Sequence, residues 1–166
     1  MCIFLIGFMG SGKSYWAKKW AEKYHLKFID MDDLIENQTG KSIQQIFDEE
    51  GENGFRLREK RTLQGLPTDE SVIVACGGGT ACYFDNLQWM NEIGITLYLK
   101  ASVEQIISRV STELYNRPLV KNIKKDELKP FIENKLQQRE PYYSQAKFTI
   151  AVEDLDENSI RKFINP

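Results

Sequence analysis

Cysteine is scarce. The chain holds only Cys2, Cys76 and Cys82, an odd number without C-x-x-C spacing. That excludes a closed disulfide framework and predicts a reducing compartment. No stretch approaches the ~20 consecutive apolar residues that a membrane-spanning helix needs. The apolar run Cys2–Ile6 passes straight into a glycine-rich loop without the charged and hydrophobic regions of a secretory leader, so a cytoplasmic location is expected. Neither sign of charge dominates: 22 Lys and Arg face 24 Asp and Glu, for a net charge of −2. No overall basic field draws nucleic acid or an anionic membrane, and an anionic ligand must be met by a local cluster. Internal repeats, low-complexity tracts and Pro/Gly/Ser-rich linkers are also lacking. One domain over residues 1–166 is therefore expected, and collagen-like and mucin-like chains are excluded.

What is present is a globular composition, 42% hydrophobic and 28% charged over 166 residues. A chain of that size buries roughly 70% of its unfolded surface and needs no structural metal. Strand-like runs at Cys2–Ile6, Lys27–Ile29, Val72–Cys76, Ile95–Leu99 and Phe148–Val152 alternate with helical patterns. This alternation predicts an α/β fold with a five-stranded parallel sheet flanked by helices. Helices are predicted over Lys13–Tyr24, Ile43–Glu50, Gly54–Leu66, Asp85–Ile93, Val103–Val110, Glu127–Tyr143 and Asn158–Ile164. Within Glu127–Tyr143, Leu128, Phe131, Ile132 and Leu136 form one apolar stripe. Arg139 falls at its edge, within reach of a cavity. Ser111–Asp126 is basic, irregular and interrupted by Pro118, which suits a lid or binding loop. The single histidine, His25, closes the first helical pattern away from every motif.

Gly7-Phe8-Met9-Gly10-Ser11-Gly12-Lys13-Ser14 matches G-x-x-x-x-G-K-[ST] between a strand and a helix. Such a loop converges backbone N–H groups on phosphate oxygens, with Lys13 adding a point charge and the Ser14 hydroxyl a ligand for Mg²⁺. A plain glycine turn would need neither the lysine nor the hydroxyl. A nucleoside triphosphate is therefore expected, while the acceptor of its γ-phosphate stays open. Asp30 and Asp32 follow the second strand, at the sheet edge where α/β proteins bind ligands. One suits the metal and the other an acceptor hydroxyl, although Asp32 or Asp33 also suits an N-cap. Arg56, in Gly54-Phe55-Arg56, is either a carboxylate ligand or the surface partner of Glu52, four residues before it. Arg58, Lys60 and Arg61 read as a solvated face. Gly77-Gly78-Gly79 follow the third strand and suit either close approach of a small ligand or a hinge. Arg117, beside Pro118, suits a phosphate clamp or a solvated position.

With Gly7–Ser14, Asp30-x-Asp32, Gly54-Phe55-Arg56, Gly77–Gly79, Arg117-Pro118-Leu119 and Arg139-x-Pro141-x-Tyr143 in this order, the chain resembles the shikimate kinase family from about residue 3 to about residue 150. The resemblance implies a three-layer P-loop kinase fold with a lid at about 111–126, and phosphoryl transfer from ATP to the 3-hydroxyl of shikimate in chorismate biosynthesis. It implies that Gly10, Ser11, Gly12, Lys13, Ser14 and Tyr15 hold the ATP phosphates, with Arg109 near adenine. Ser14 and Asp30 would serve Mg²⁺. Asp32, Arg56, Gly77, Gly78, Gly79 and Arg139 would hold shikimate, the two arginines facing its carboxylate and Asp32 its reacting hydroxyl. Lys13, Asp32 and Arg117 would carry the chemistry. Tyr15 stands where many members carry threonine. A monomer acting on two small molecules is expected. Gluconate kinase is the nearest enzymatic rival, and a nucleotide-dependent switch the rival from another class; the chain has no N-K-x-D guanine signature.

Overall fold

The computed structural model describes residues 1–111, 123–124 and 126–164. Its strands are β1 (Cys2–Ile6), β2 (Lys27–Asp30), β3 (Val72–Ala75), β4 (Ile95–Lys100) and β5 (Phe148–Ala151). They form one sheet in the order β2-β3-β1-β4-β5, and each pair runs parallel. The helices are α1 (Lys13–Tyr24), α2 (Met31–Thr39), α3 (Ile43–Gln64), α4 (Asn86–Ile93), α5 (Val103–Val110), α6 (Leu128–Tyr143) and α7 (Arg161–Ile164). Short 3₁₀ turns occupy Thr80–Cys82 and Val152–Asp154. The α/β class and the five parallel strands agree with the sequence pattern. Among the described residues no helix is long and apolar enough to cross a membrane.

β1 and β3 are buried at every position. That pattern belongs to strands covered by helices on both faces, and it explains their uninterrupted apolar character. Pairing puts Ala75 beside both Leu5 and Asp30. The segments leaving β1, β2 and β3 therefore emerge together at one edge of the sheet. Because β1 lies between β3 and β4, the chain crosses over it on the way from one to the other. The glycine-rich loop thus starts at the switch point where such sheets bind ligands.

Local chemistry sets the helix ends. His25 terminates α1 in the left-handed conformation, at φ 54°, and its N–H bonds back to Ala21 O. An N-cap at Asp32 or Asp33 implies a helix through Leu34 and Ile35, for which no bounds were predicted; that helix is α2, and its N-cap is Asp30. Asp30 accepts from Asp32 N at 3.0 Å. The span Ile43–Gln64, α3, is two helical segments meeting at Gly51, whose backbone (φ 69°, ψ −180°) is not helical, and Gly51 falls between the two predicted helices Ile43–Glu50 and Gly54–Leu66. Gly51 takes φ +69°, which a glycine reaches at no steric cost. The lid stretch 111–126 lies mostly outside the described residues, and Arg117, Pro118 and Leu119 with it.

α3 begins with a capping box: Ser42 Oγ accepts from Gln45 N at 3.2 Å while Gln45 Oε1 accepts from Ser42 N at 2.8 Å. Ser42→Ala removes one half of this exchange and is expected to cost about 1 kcal/mol of stability, read as a lower urea midpoint at unchanged slope. A midpoint equal to wild type contradicts it.

Candidate active site

The loop after β1 folds around its own lysine. Gly7, Gly10 and Gly12 take φ of +142°, +76° and +91°, a path closed to most side chains. Lys13 is buried, and its Nζ donates to Gly7 O at 2.8 Å and Phe8 O at 2.9 Å. Ser11 N donates to Phe8 O at 3.1 Å and the Ser11 side chain is fully buried, so Ser11 belongs to the loop's framework. No side chain caps the start of α1. Helix N-termini of this kind are the ones that bind phosphate through their first-turn amides.

Beside this loop, Ser14 Oγ donates to Asp30 Oδ2 at 2.5 Å. A hydroxyl and a carboxylate held edge to edge at a phosphate-type loop are the hard oxygen donors that Mg²⁺ accepts, alongside waters and phosphates. Among the described residues no group of three or more His, Cys, Asp and Glu gathers into a metal site. The neighbouring Asp33 carboxyl is pushed up by partial burial, helped by Asp30 and Glu36.

A cleft of about 520 Å³ joins these parts. Gly12, Lys13, Ser14, Asp30, Asp32, Gly77, Gly78 and Arg109 line it, together with Tyr15 and Trp16 on one flank. Arg109 Nη1 donates to Gly10 O at 3.0 Å, which lays the arginine across the loop. Tyr15 is largely exposed, set edge-on against Trp16, which stacks on Trp20 at 5.2 Å.

Arg56 and Arg139 are not among the residues lining this cleft. Both are buried, at 3% and 6% exposure, and both abut the glycine turn. Arg139 Nη1 donates to Gly78 O at 3.1 Å, and the Tyr143 hydroxyl donates to the same oxygen. Arg56 lies against Gly79, where a Cβ would sit 2.5 Å from Nη2. At Gly77 a Cβ would meet Glu59 Oε1 at 2.6 Å. These two glycines leave room for an ion pair, a reason that the run of three did not disclose.

That ion pair is the part sequence reasoning missed. Glu59 has no exposed surface and bonds Arg56 Nη1 through Oε2 at 2.9 Å. Its Oε1 accepts from Thr80 Oγ1 at 2.5 Å. Burial works against the Arg56 charge, but Glu59, together with Tyr83 and Glu52, offsets it and holds the guanidinium ionised. Glu52 accepts from Arg56 Nη2 at 3.2 Å and from the Tyr83 hydroxyl at 2.8 Å. The expected Glu52–Arg56 pair exists, although Arg56 is interior. Arg58 and Lys60 pair with Glu50 and Asp85, as residues at a surface do. The i, i+3 spacing of Arg56 and Glu59 on a helix was the available signal.

A family model described as "Shikimate kinase" matches residues 9–165. The chain is 40% identical to the shikimate kinase of Phocaeicola vulgatus, covering 98% of each chain. It is 41% identical to the shikimate kinase of Azobacteroides pseudotrichonymphae, covering 99% of this chain and 97% of that one. A crystal structure of shikimate kinase from Bacteroides thetaiotaomicron superposes with a TM-score of 0.88 at 34% identity, covering 99% of this chain and 94% of that one. Shikimate kinase from Acinetobacter baumannii in complex with shikimate superposes at 0.84 with 32% identity, covering 98% and 88%.

Thr80→Val keeps the shape of the side chain but leaves Glu59 Oε1 without its donor. It is expected to lower stability by about 1–3 kcal/mol in urea unfolding, the cost of an unsatisfied buried acceptor. A loss below about 0.5 kcal/mol, the scale of a surface substitution, contradicts that burial.

Proposed function

The chain belongs to the shikimate kinase family, and from that premise we propose that it transfers the γ-phosphoryl group of ATP to the 3-hydroxyl of shikimate, giving 3-phosphoshikimate and ADP. The observation that carries this reading is the single cleft in which the glycine-rich loop meets Asp32 and the Gly77–Gly78 segment. The two buried arginines stand just behind that segment, on Gly78 and Gly79.

In this reading the amides of Gly10, Gly12, Lys13, Ser14 and Tyr15 cradle the phosphates over the start of α1, with Ser11 bracing the loop. Arg109 contributes at the nucleotide end. Ser14 and Asp30 hold Mg²⁺, which supplies neutralising charge to the phosphates when bound. Lys13 and Arg117 supply the protein's own positive charge; Arg117 is assigned here from the family resemblance, together with a lid at about 111–126. Phosphoryl transfer asks chiefly for positioning and charge stabilisation, which such a ring of cations provides. Asp32 orients the acceptor hydroxyl and takes its proton as transfer proceeds. Arg56 and Arg139 grip the shikimate carboxylate, and the Gly77–Gly79 backbone borders the ring. A monomer in the cytoplasm, serving chorismate and aromatic amino acid biosynthesis, completes the proposal.

The direct test is coupled ADP production with ATP and Mg²⁺, with and without shikimate. ADP release is expected to depend on shikimate, and release indifferent to it contradicts a kinase. Asp32→Asn is expected to lower kcat by about 10²–10⁴-fold while ATP still binds. Near-normal turnover removes Asp32 as the base. Arg139→Ala is expected to raise the KM for shikimate by about tenfold or more, the worth of one charge-assisted hydrogen bond, and to move the KM for ATP far less. Equal shifts in both constants displace the carboxylate from this arginine.

A further inference from the structure

Arg56 is bonded to two carboxylates, and they are held in different ways. Glu59 is wholly buried and fixed by Thr80. The Glu52 side chain remains 41% exposed and reaches Arg56 Nη2 from the edge of the site at 3.2 Å. Its other tether is the Tyr83 hydroxyl, and the ring of Tyr83 lies over the guanidinium with its centroid 4.4 Å from Cζ. Partial burial pushes the Glu52 carboxyl up, but its bonds from Tyr83 and Arg56 outweigh that and hold it below the usual carboxylate range, so it is charged at neutral pH.

Arg56 Nε is buried without a hydrogen-bond partner. A buried N–H in that state is costly, and in a binding site it marks the place of an absent acceptor. Nε and Nη2 are the two nitrogens on one edge of the guanidinium, the edge that takes a carboxylate through two parallel bonds. One of these donors is unmatched. The other is occupied by an acid that can retreat into water.

We propose that Glu52 is a placeholder for the substrate: its carboxylate occupies Arg56 Nη2 in the ligand-free enzyme and leaves when the carboxylate of the acid substrate takes the Nε–Nη2 edge. This rests on the reading of Arg56 as the partner of that carboxylate. With Glu52 in place the cluster Glu52–Arg56–Glu59 carries a net negative charge, a poor neighbour for an arriving anion. With Glu52 released, Arg56 and Glu59 balance and the incoming carboxylate fills both donors. An acid able to offer only one bond gains little over Glu52, so the exchange selects for a planar carboxylate presented squarely to the arginine. Glu52 is thus a specificity-determining residue that acts by competing, while Tyr83 keeps it in position.

The test compares the KM for shikimate with the KM for ATP in the wild-type enzyme and in Glu52→Gln, Tyr83→Phe and Arg56→Lys. Glu52→Gln preserves shape and removes the competing charge. Its KM for shikimate is expected to fall about twofold to fivefold, the worth of a part-exposed ion pair, with a smaller change for ATP. Tyr83→Phe frees Glu52 from its tether and is expected to shift the same constant in the same direction by less. A residue that merely supported Arg56 would raise the KM for shikimate when altered. An unchanged or raised value in Glu52→Gln therefore overturns the proposal, and if that variant does not fold, the same outcome in Tyr83→Phe does so. Arg56→Lys separates the two levels of the argument. If it raises the KM for shikimate while Glu52→Gln fails to lower it, only the placeholder is wrong. If it leaves that constant unchanged, the assignment of Arg56 to the substrate has failed, and the placeholder with it.

Discussion

The position of β1 governs the rest of the molecule. It is buried along its whole length and pairs in parallel with β3 on one side and β4 on the other. Parallel pairing sends every strand's carboxyl end the same way, and the register that sets Ala75 between Leu5 and Asp30 brings three exits level. From those exits come the phosphate-type loop, the Asp30–Asp32 pair and the glycine turn. They become neighbours because the most apolar, best-paired part of the chain lies beneath them, and the Ser14–Asp30 bond then joins two of them. A rigid sheet also keeps them in place when ligands change the local charge.

Around the glycine turn the structure spends buried charge. Arg56, Glu59 and Arg139 all sit in the interior. An interior ion pair offsets its desolvation only when the remaining donors and acceptors are matched. Thr80 satisfies Glu59. Gly78 O receives both Arg139 and Tyr143. Gly77 and Gly79 give up their side chains to the space that Glu59 and Arg56 fill. The unmatched Arg56 Nε stands out against this background, and it lies on the guanidinium edge suited to the acid group of the proposed substrate. Satisfied groups hold the arginine still, and in the proposed reading the unsatisfied one is kept for the ligand.

Much of this was legible from residue order, for identifiable reasons. β1 and β3 announced themselves because both faces are covered, so no polar residue interrupts Ile3-Phe4-Leu5-Ile6 or Val72-Ile73-Val74-Ala75. α1 was bounded correctly by the loop lysine at one end and His25 at the other. α2 surfaced only as the helix that an N-cap at Asp32 or Asp33 would start, because its nine residues are rich in acid and only Met31 and Ile35, one turn apart, mark its buried face. The break within α3 was legible because Gly51 and Gly54 punctuate the pattern, and Gly51 does leave the helical conformation. The interior role of Glu59 was invisible within a run of charged residues. Its burial depends on Thr80, twenty-one positions later, and Tyr83 tethers Glu52 from thirty-one positions away. Contacts of that span follow from the fold, and local spacing does not reveal them.

The central claim is that nucleotide and acceptor meet at one edge of the sheet, with the acceptor's acid group against two interior arginines. A crystal structure of the protein with ADP, Mg²⁺ and shikimate tests it most directly. The account predicts the shikimate carboxylate within hydrogen-bonding distance of Arg56 and Arg139, its 3-hydroxyl on Asp32, and the diphosphate over the start of α1. Shikimate bound away from the glycine turn, or Asp32 facing away from the ring hydroxyls, would contradict it.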